Sequence, residues 1–293
     1  MKTGKPRLTL FDALIAVLII GCVWYISYRI RIGLHYKWNW PVIAQYLFRY
    51  DSAEGRWMAS LLVQGLLITL RLSIWGTISA LIIGTVMGLC RISQSLFIRL
   101  LSRTYVELMR NIPPLVLVFI FYYFVSEQIV PAGIIESFLR NQSGAVLSAV
   151  EVLFSPPELL PEFLAAMFTL AVFEGAYITE IIRAGIQSVE KGQWEACFAL
   201  GFARGQQMRY VILPQAVQRI LPPLGSQFIS TIKDSSIVSV ISIQELTFQG
   251  MELMAATYLT FEIWITVTVL YLALTLSCSL AVQWMEHRFS RSG

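Results

Sequence analysis

Apolar residues run in long stretches along this chain, and the charges gather in the short segments between them. A helix crossing a bilayer needs roughly 20 mostly apolar residues to span about 30 Å of hydrocarbon. Six stretches meet that need: about 11–28, 59–90, 112–130, 163–182, 220–244 and 263–285. The second contains Arg71 and the fourth Glu174 and Glu180. The fifth is interrupted by Lys233-Asp234, and the sixth has no formal charge. The pattern predicts an all-α integral membrane protein of about six transmembrane helices.

Composition agrees. Of 293 residues, 56% are hydrophobic and 14% charged, where soluble domains carry about 25% charged residues. The net charge of +4 is small and broken up by apolar runs, which argues against nucleic-acid binding. Cys22, Cys90, Cys197 and Cys278 have no metal-ligand spacing and read as small buried hydrophobes. His35 and His287 lie near opposite ends, so neither a zinc site nor a His-dependent nucleophile is expected. The basic start Lys2, Lys5, Arg7 leads into an apolar run that ends in Trp24, Tyr25 and Tyr28 without a small-x-small cleavage site. That combination reads as an uncleaved signal anchor.

Basic residues in the loops set the orientation. With the N-terminus inside, fourteen of the 22 Lys and Arg residues fall on inside segments and six outside. Both termini are therefore expected in the cytoplasm. The outer loop of about 131–161 is mostly acidic, with Glu136, Glu151 and Glu158 against Arg140. The expected organisation is a tail and anchor helix over 1–30, an extracytoplasmic segment over 31–58, and a membrane domain over 59–293. That domain includes the outer loop and a cytoplasmic loop of about 183–219.

The cytoplasmic loop contains KGQWEACFALGFARGQQMRYVILPQA. It reads as two short helices, about Ile186–Leu200 and Ala203–Ile212. Gly201 supplies a left-handed residue between them and Pro214 stops or kinks the second. Trp194 and Phe198 form the apolar face of one, and Met208, Val211 and Ile212 that of the other. Such a hairpin either packs on its own bundle or docks a cytoplasmic partner. For docking, Ala196 and Gly201 permit close approach and Glu195 offers a charge.

At these residues the chain resembles ABC-transporter permeases. EACFALG, nine residues, then VILP is similar to their EAA loop, with Glu195, Ala196, Gly201, Leu213 and Pro214 matching the pattern. Cys197 stands for the second Ala and Val211 for the usual Ile, replacements of similar size. AYITEIIRAGIQSVEKGQWEA, LPQAVQRILPPLGSQFISTIKDSSIVSVISIQEL and VELMRNIPPLVLVFIFYY narrow the resemblance to permeases of polar amino-acid importers. It covers about 59–126 and 163–285. Arg110 matches the family's R-G-x-P run, with Asn111 in place of Gly. The anchor and the outer insert of about 127–161 lie outside the strongest resemblance. That insert either touches a binding protein or covers the bundle.

The resemblance implies a five-helix type I importer core plus the anchor. It also implies a second permease subunit, identical or homologous, a cytoplasmic ABC ATPase dimer and an extracytoplasmic solute-binding protein. The chain lacks a G-x-x-x-x-G-K loop, so no cofactor is expected on it, and ATP-Mg would be used by the partner ATPase. Ionisable groups inside a bilayer are costly and tend to face a cavity or a partner. The substrate-path candidates are Arg71, Glu174, Lys233 and Asp234, with Ser235, Ser236 and Gln227 as neutral donors. Each charge has an alternative role in pairing helices. Gly84 and Gly88 are spaced for close helix approach. Pro113-Pro114 and Pro222-Pro223 are expected at the starts of spans. The alternatives are a permease for another small solute, a secondary transporter, which would need no EAA-type loop, and a membrane enzyme, for which no catalytic set is visible.

Overall fold

The computed structural model describes residues 10–33, 36–52, 55–126, 128 and 132–290. The basic start at Lys2, Lys5 and Arg7, His35, and Arg291 lie outside them. The chain divides into a unit ending at Trp40 and a unit beginning at Pro41. The first unit holds α1 (Leu10–Gly33), whose Trp24 and Tyr28 rings stack at 5.7 Å.

The second unit opens with α2 (Ile43–Leu47) and a hairpin of β1 (Phe48–Asp51) and β2 (Arg56–Ala59), with Tyr50 opposite Trp57. Ile43 packs with Leu62, Leu246 and Ile263, which joins residues 43–58 to the main bundle. The bundle is built on α3 (Leu61–Arg91) and α8 (Leu160–Gln187). These two run parallel: Gly76 faces Leu170, Gly84 faces Ile178 and Gly88 faces Ile182. A Cβ on Gly84 would lie 2.5 Å from Ile178 Cγ2, so only glycine admits this separation.

Between α3 and α8 come α4 (Leu96–Asn111), α5 (Pro114–Ile120), α6 (Ala132–Arg140) and α7 (Gly144–Leu153). The expected inside loop after Arg91 is thus largely the amphipathic helix α4. Its Ser102, Val106 and Met109 face inward, while Arg99, Arg103 and Arg110 face out. Pro113 caps α5 and Pro114 is its first residue, where a missing N–H costs little. The 131–161 segment holds two helices rather than an open loop.

After α8 come α9 (Lys191–Ala199), α10 (Arg204–Gln207) and α11 (Leu213–Asp234), then α12 (Leu246–Thr257) and α13 (Thr260–Ser290). The expected fifth span, 220–244, is not one helix. Helix α11 begins at Leu213 and ends at Asp234. A 3-10 turn over Ser235–Ile241 follows, and Ser242 is left-handed at φ 62°. Pro222 and Pro223 therefore lie inside α11, not at a span start.

Among the described residues, three helices are long and apolar enough to cross a membrane: Leu61–Arg91, Pro157–Gln187 and Thr260–Met285. A fourth span results if α4 and α5, bent by 112°, count as one. The expected six thus included α1, whose apolar run is shorter, and the polar α11. Of the four cysteines only Cys197 is buried; Cys22 is exposed and Cys90 and Cys278 are half-buried, so the reading of all four as buried hydrophobes fails.

Candidate functional site

Helix α8 turns Glu174 toward α11, and its side chain is 0% exposed. Gln227 Nε2 on α11 donates to Glu174 Oε2 at 2.6 Å. By distance and angle, Glu174 Oε1 makes no hydrogen bond among the described residues. Asp234 lies within electrostatic reach of the same carboxyl. Positions 227, 231 and 234 recur at one-turn spacing, so Gln227, Thr231 and Asp234 form one polar stripe on α11. A buried carboxyl with an unsatisfied oxygen is costly to hold. Such an oxygen calls for compensation by a proton or a further partner.

The other substrate-path candidates are distributed differently. Lys233 is exposed, whereas Asp234 is half-buried, as adjacent positions about 100° apart on a helix allow. Ser235 Oγ donates to the Ile232 carbonyl at 2.8 Å and Ser236 Oγ to that of Lys233 at 2.7 Å. Both hydroxyl protons are thus committed to their own backbone. Arg71 is not part of this cluster; it sits in a separate cavity beside Glu151.

Gln227 also lines a cavity of about 600 Å³ with Arg110, Tyr177, Glu180, Ser188 and Arg219. Arg110 lies over the Tyr177 ring at 5.3 Å, an orientation that ring quadrupoles favour. Glu180 is held by Arg91 at 3.1 Å and Arg183 at 2.7 Å. Arg183 is one helical turn from Glu180, a spacing readable in TEIIR.

The 191–214 hairpin is the second candidate region. Helix α8 continues to Gln187, and α9 starts afresh at Lys191, so the expected helix over Ile186–Leu200 is split. Gly201, at φ 77°, closes α9. Its N–H donates to the Phe198 carbonyl, and the Phe202 N–H to the Cys197 carbonyl, each at 3.0 Å. These paired bonds satisfy carbonyls that a helix end leaves open. Glu195 and Ala196 are exposed and Cys197 is buried.

Trp194 packs inward with Ile186, Met208 and Ile212. Phe198, expected beside it, instead points outward at 79% exposure, and Leu200 is 74% exposed. Val211 and Leu213 are half-buried and Pro214 is exposed. Pro214 does not stop the chain. The widened π turn over Met208–Ile212 ends on a bond from the Leu213 N–H to the Met208 carbonyl. The following residue, which has no N–H, then enters α11 without breaking it.

One buried node was not foreseen. Glu245 caps α12 by accepting from the Phe248 N–H at 2.8 Å, and it accepts from Tyr271 Oη at 2.7 Å and Thr69 Oγ1 at 3.3 Å. It ties α3, α12 and α13 together. A glutamate is not among the usual cap residues, so the local sequence carried no signal for it.

Residues 80–291 match the family model described as binding-protein-dependent transport system inner membrane component. The chain is 34% identical, over 80% of its length and 95% of the relative's, to the probable glutamine ABC transporter permease protein GlnM of Bacillus subtilis (strain 168). It is 36% identical, over 78% of its length and 92% of the relative's, to the glutamine transport system permease protein GlnP of Escherichia coli (strain K12). A crystal structure of an amino acid ABC transporter with histidines aligns with 86% of this chain and 100% of that one, at 31% identity and a TM-score of 0.66.

Proposed function

The chain belongs to the family of binding-protein-dependent transport system inner membrane components, and on that premise we propose that it is the permease subunit of an ATP-driven importer of a polar amino acid. The similarity to two glutamine permeases supports this cargo class. The assembly contains a second permease subunit, two cytoplasmic ATPase subunits that use ATP-Mg, and an extracytoplasmic solute-binding protein. Six helices cross the membrane, with both termini and the 191–214 hairpin in the cytoplasm; the distribution of Lys and Arg supports this orientation.

The hairpin docks the ATPase. Glu195, Ala196 and the outward Phe198 and Leu200 face it, while Cys197, Val211 and Leu213 hold the hairpin to the bundle. The substrate path runs past Glu174, Gln227 and Asp234. The cargo's ammonium pairs with the carboxylates, and its arrival satisfies the unpartnered Glu174 Oε1. Lys233, Ser235 and Ser236 shape the wall of this path. ATP-driven movement of the hairpin shifts α11 against α8 and exchanges outward for inward access.

One observation carries the path: Gln227 on Glu174, on two helices that meet in the bundle. The test is binding-protein-dependent uptake of L-[³H]glutamine into proteoliposomes loaded with ATP. Glu174→Gln should cut uptake at least tenfold while leaving ATPase association intact. Uptake that persists without ATP, or that Glu174→Gln leaves unchanged, defeats the reading.

A further inference from the structure

We propose that the chain holds a second amino-acid station, an outer cavity headed by Arg71, which receives the cargo before it reaches Glu174. This rests on the reading of the chain as an amino-acid permease. The cavity measures about 300 Å³ and lies among the first half of α3, the 151–163 segment, residues 242–244 and the first turn of α12. That volume sits at the small end of ligand pockets.

The lining has the two signs and the amides that a zwitterion needs. Arg71 supplies a guanidinium, whose fork pairs with a carboxylate through two parallel bonds. Glu151 and Glu162 supply anionic partners for an ammonium. Gln249 also lines the cavity, is 4% exposed, and its Oε1 has no hydrogen-bond partner among the described residues. A buried carbonyl left without a donor is costly, and a ligand N–H in this cavity would satisfy it.

The cavity is separated from the Glu174 level. Phe163 and Ile243 form part of its wall and also belong to an apolar cluster with Leu72, Leu170, Val238 and Ile241. Because α3 and α8 run parallel in register, Arg71 lies level with about residue 165 of α8. That is about 14 Å along the helix before Glu174. An apolar layer thus divides two polar levels.

Glu151, Ser155, Pro156 and Leu159 come from the 131–161 segment. Trp75 pins that segment to α3: its Nε1 donates to the Leu153 carbonyl at 2.9 Å and its ring stacks on Phe154 at 4.8 Å. The insert therefore helps to build the station.

The experiment is equilibrium binding of L-[³H]glutamine and L-[³H]glutamate to the complete transporter, with its ATPase subunits, in nucleotide-free nanodiscs. Two molecules per permease copy are expected for at least one probe. Arg71→Gln should remove one of them, Arg71→Lys and Glu151→Gln should each weaken that same one about tenfold, and Glu174→Gln should remove the other. The two conservative variants keep the test valid if Arg71→Gln fails to fold. A single site, lost in Glu174→Gln and untouched in all three outer variants, overturns the outer station and leaves the permease reading standing. No binding together with no ATP-dependent uptake of any amino acid overturns both.

Discussion

The α3–α8 seam and the 191–214 hairpin both depend on glycine, for opposite physical reasons. At Gly84 the backbone is ordinary helix and the space is filled: a side chain would run into Ile178. At Gly201 the space is open, with nothing within 4 Å of an added Cβ, but φ is 77°. One glycine permits contact and the other permits a turn. The seam is a packed joint that holds the helices, and the hairpin is a shaped surface that holds Phe198 and Leu200 outward. Damage to the first should therefore appear as lost protein, and damage to the second as lost coupling in protein that is still present.

The largest effect is expected from Gly84→Leu. Overpacking of this kind costs about 3 kcal/mol or more, enough to remove most monodisperse protein in size-exclusion chromatography. Adding Ile178→Ala should restore part of it; no restoration would mean that the seam is not limited by that contact. Gly201→Val comes next, at about 1–2 kcal/mol for a branched residue held left-handed. Membrane yield should stay near wild type while stimulation of the ATPase by binding protein collapses. Gly201→Asn, which tolerates this conformation better, should retain more of that stimulation.

Phe198→Ser with Leu200→Ser should move stability by no more than about 0.5 kcal/mol, yet reduce ATPase co-purification severalfold. Unchanged co-purification would remove the contrast between the two regions. The smallest effect belongs to Arg103→Ala, which loses only an exposed pair with Glu107 at 3.8 Å. A shift of about 0.3–0.5 kcal/mol in thermal unfolding is the expected ceiling.

The helices with a long apolar run, which a bilayer crossing demands, are legible in the sequence: α3, α8 and α13 fall within a few residues of the expected stretches. Helix α11 was misplaced for the converse reason. Packed against α8 and α13, it needs fewer apolar residues, so hydropathy caught only its later part and extended it through the 3-10 turn. Helix α4 was overlooked because its Arg residues read as loop charge, although its one-sided pattern was present in the sequence.

Glu174 was visible as a charge in an apolar run, but its bond to Gln227 spans 53 positions and needed the fold. In the sequence Arg71 groups with Glu174 because both are charges inside apolar runs. The parallel register of α3 and α8 puts them at different levels. In the hairpin, Gly201 followed from its residue type, whereas the tolerance of Pro214 depended on a widened turn that no composition rule announces.

That widened turn has a mechanical consequence. Helical backbone runs without interruption from Arg204 to Asp234, about 46 Å of lever at 1.5 Å per residue. A tilt of about 5° at its hairpin end sweeps the other end, where Asp234 sits, through about 4 Å. The lever is not uniformly stiff. Pro222 and Pro223 leave the carbonyls of Gln218 and Arg219 without their usual helical donors, which makes a soft joint about three-fifths of the way along from the hairpin. Movement entering at the hairpin would thus be geared: the shorter arm beyond the joint, which ends at Asp234, can swing while the longer arm stays seated.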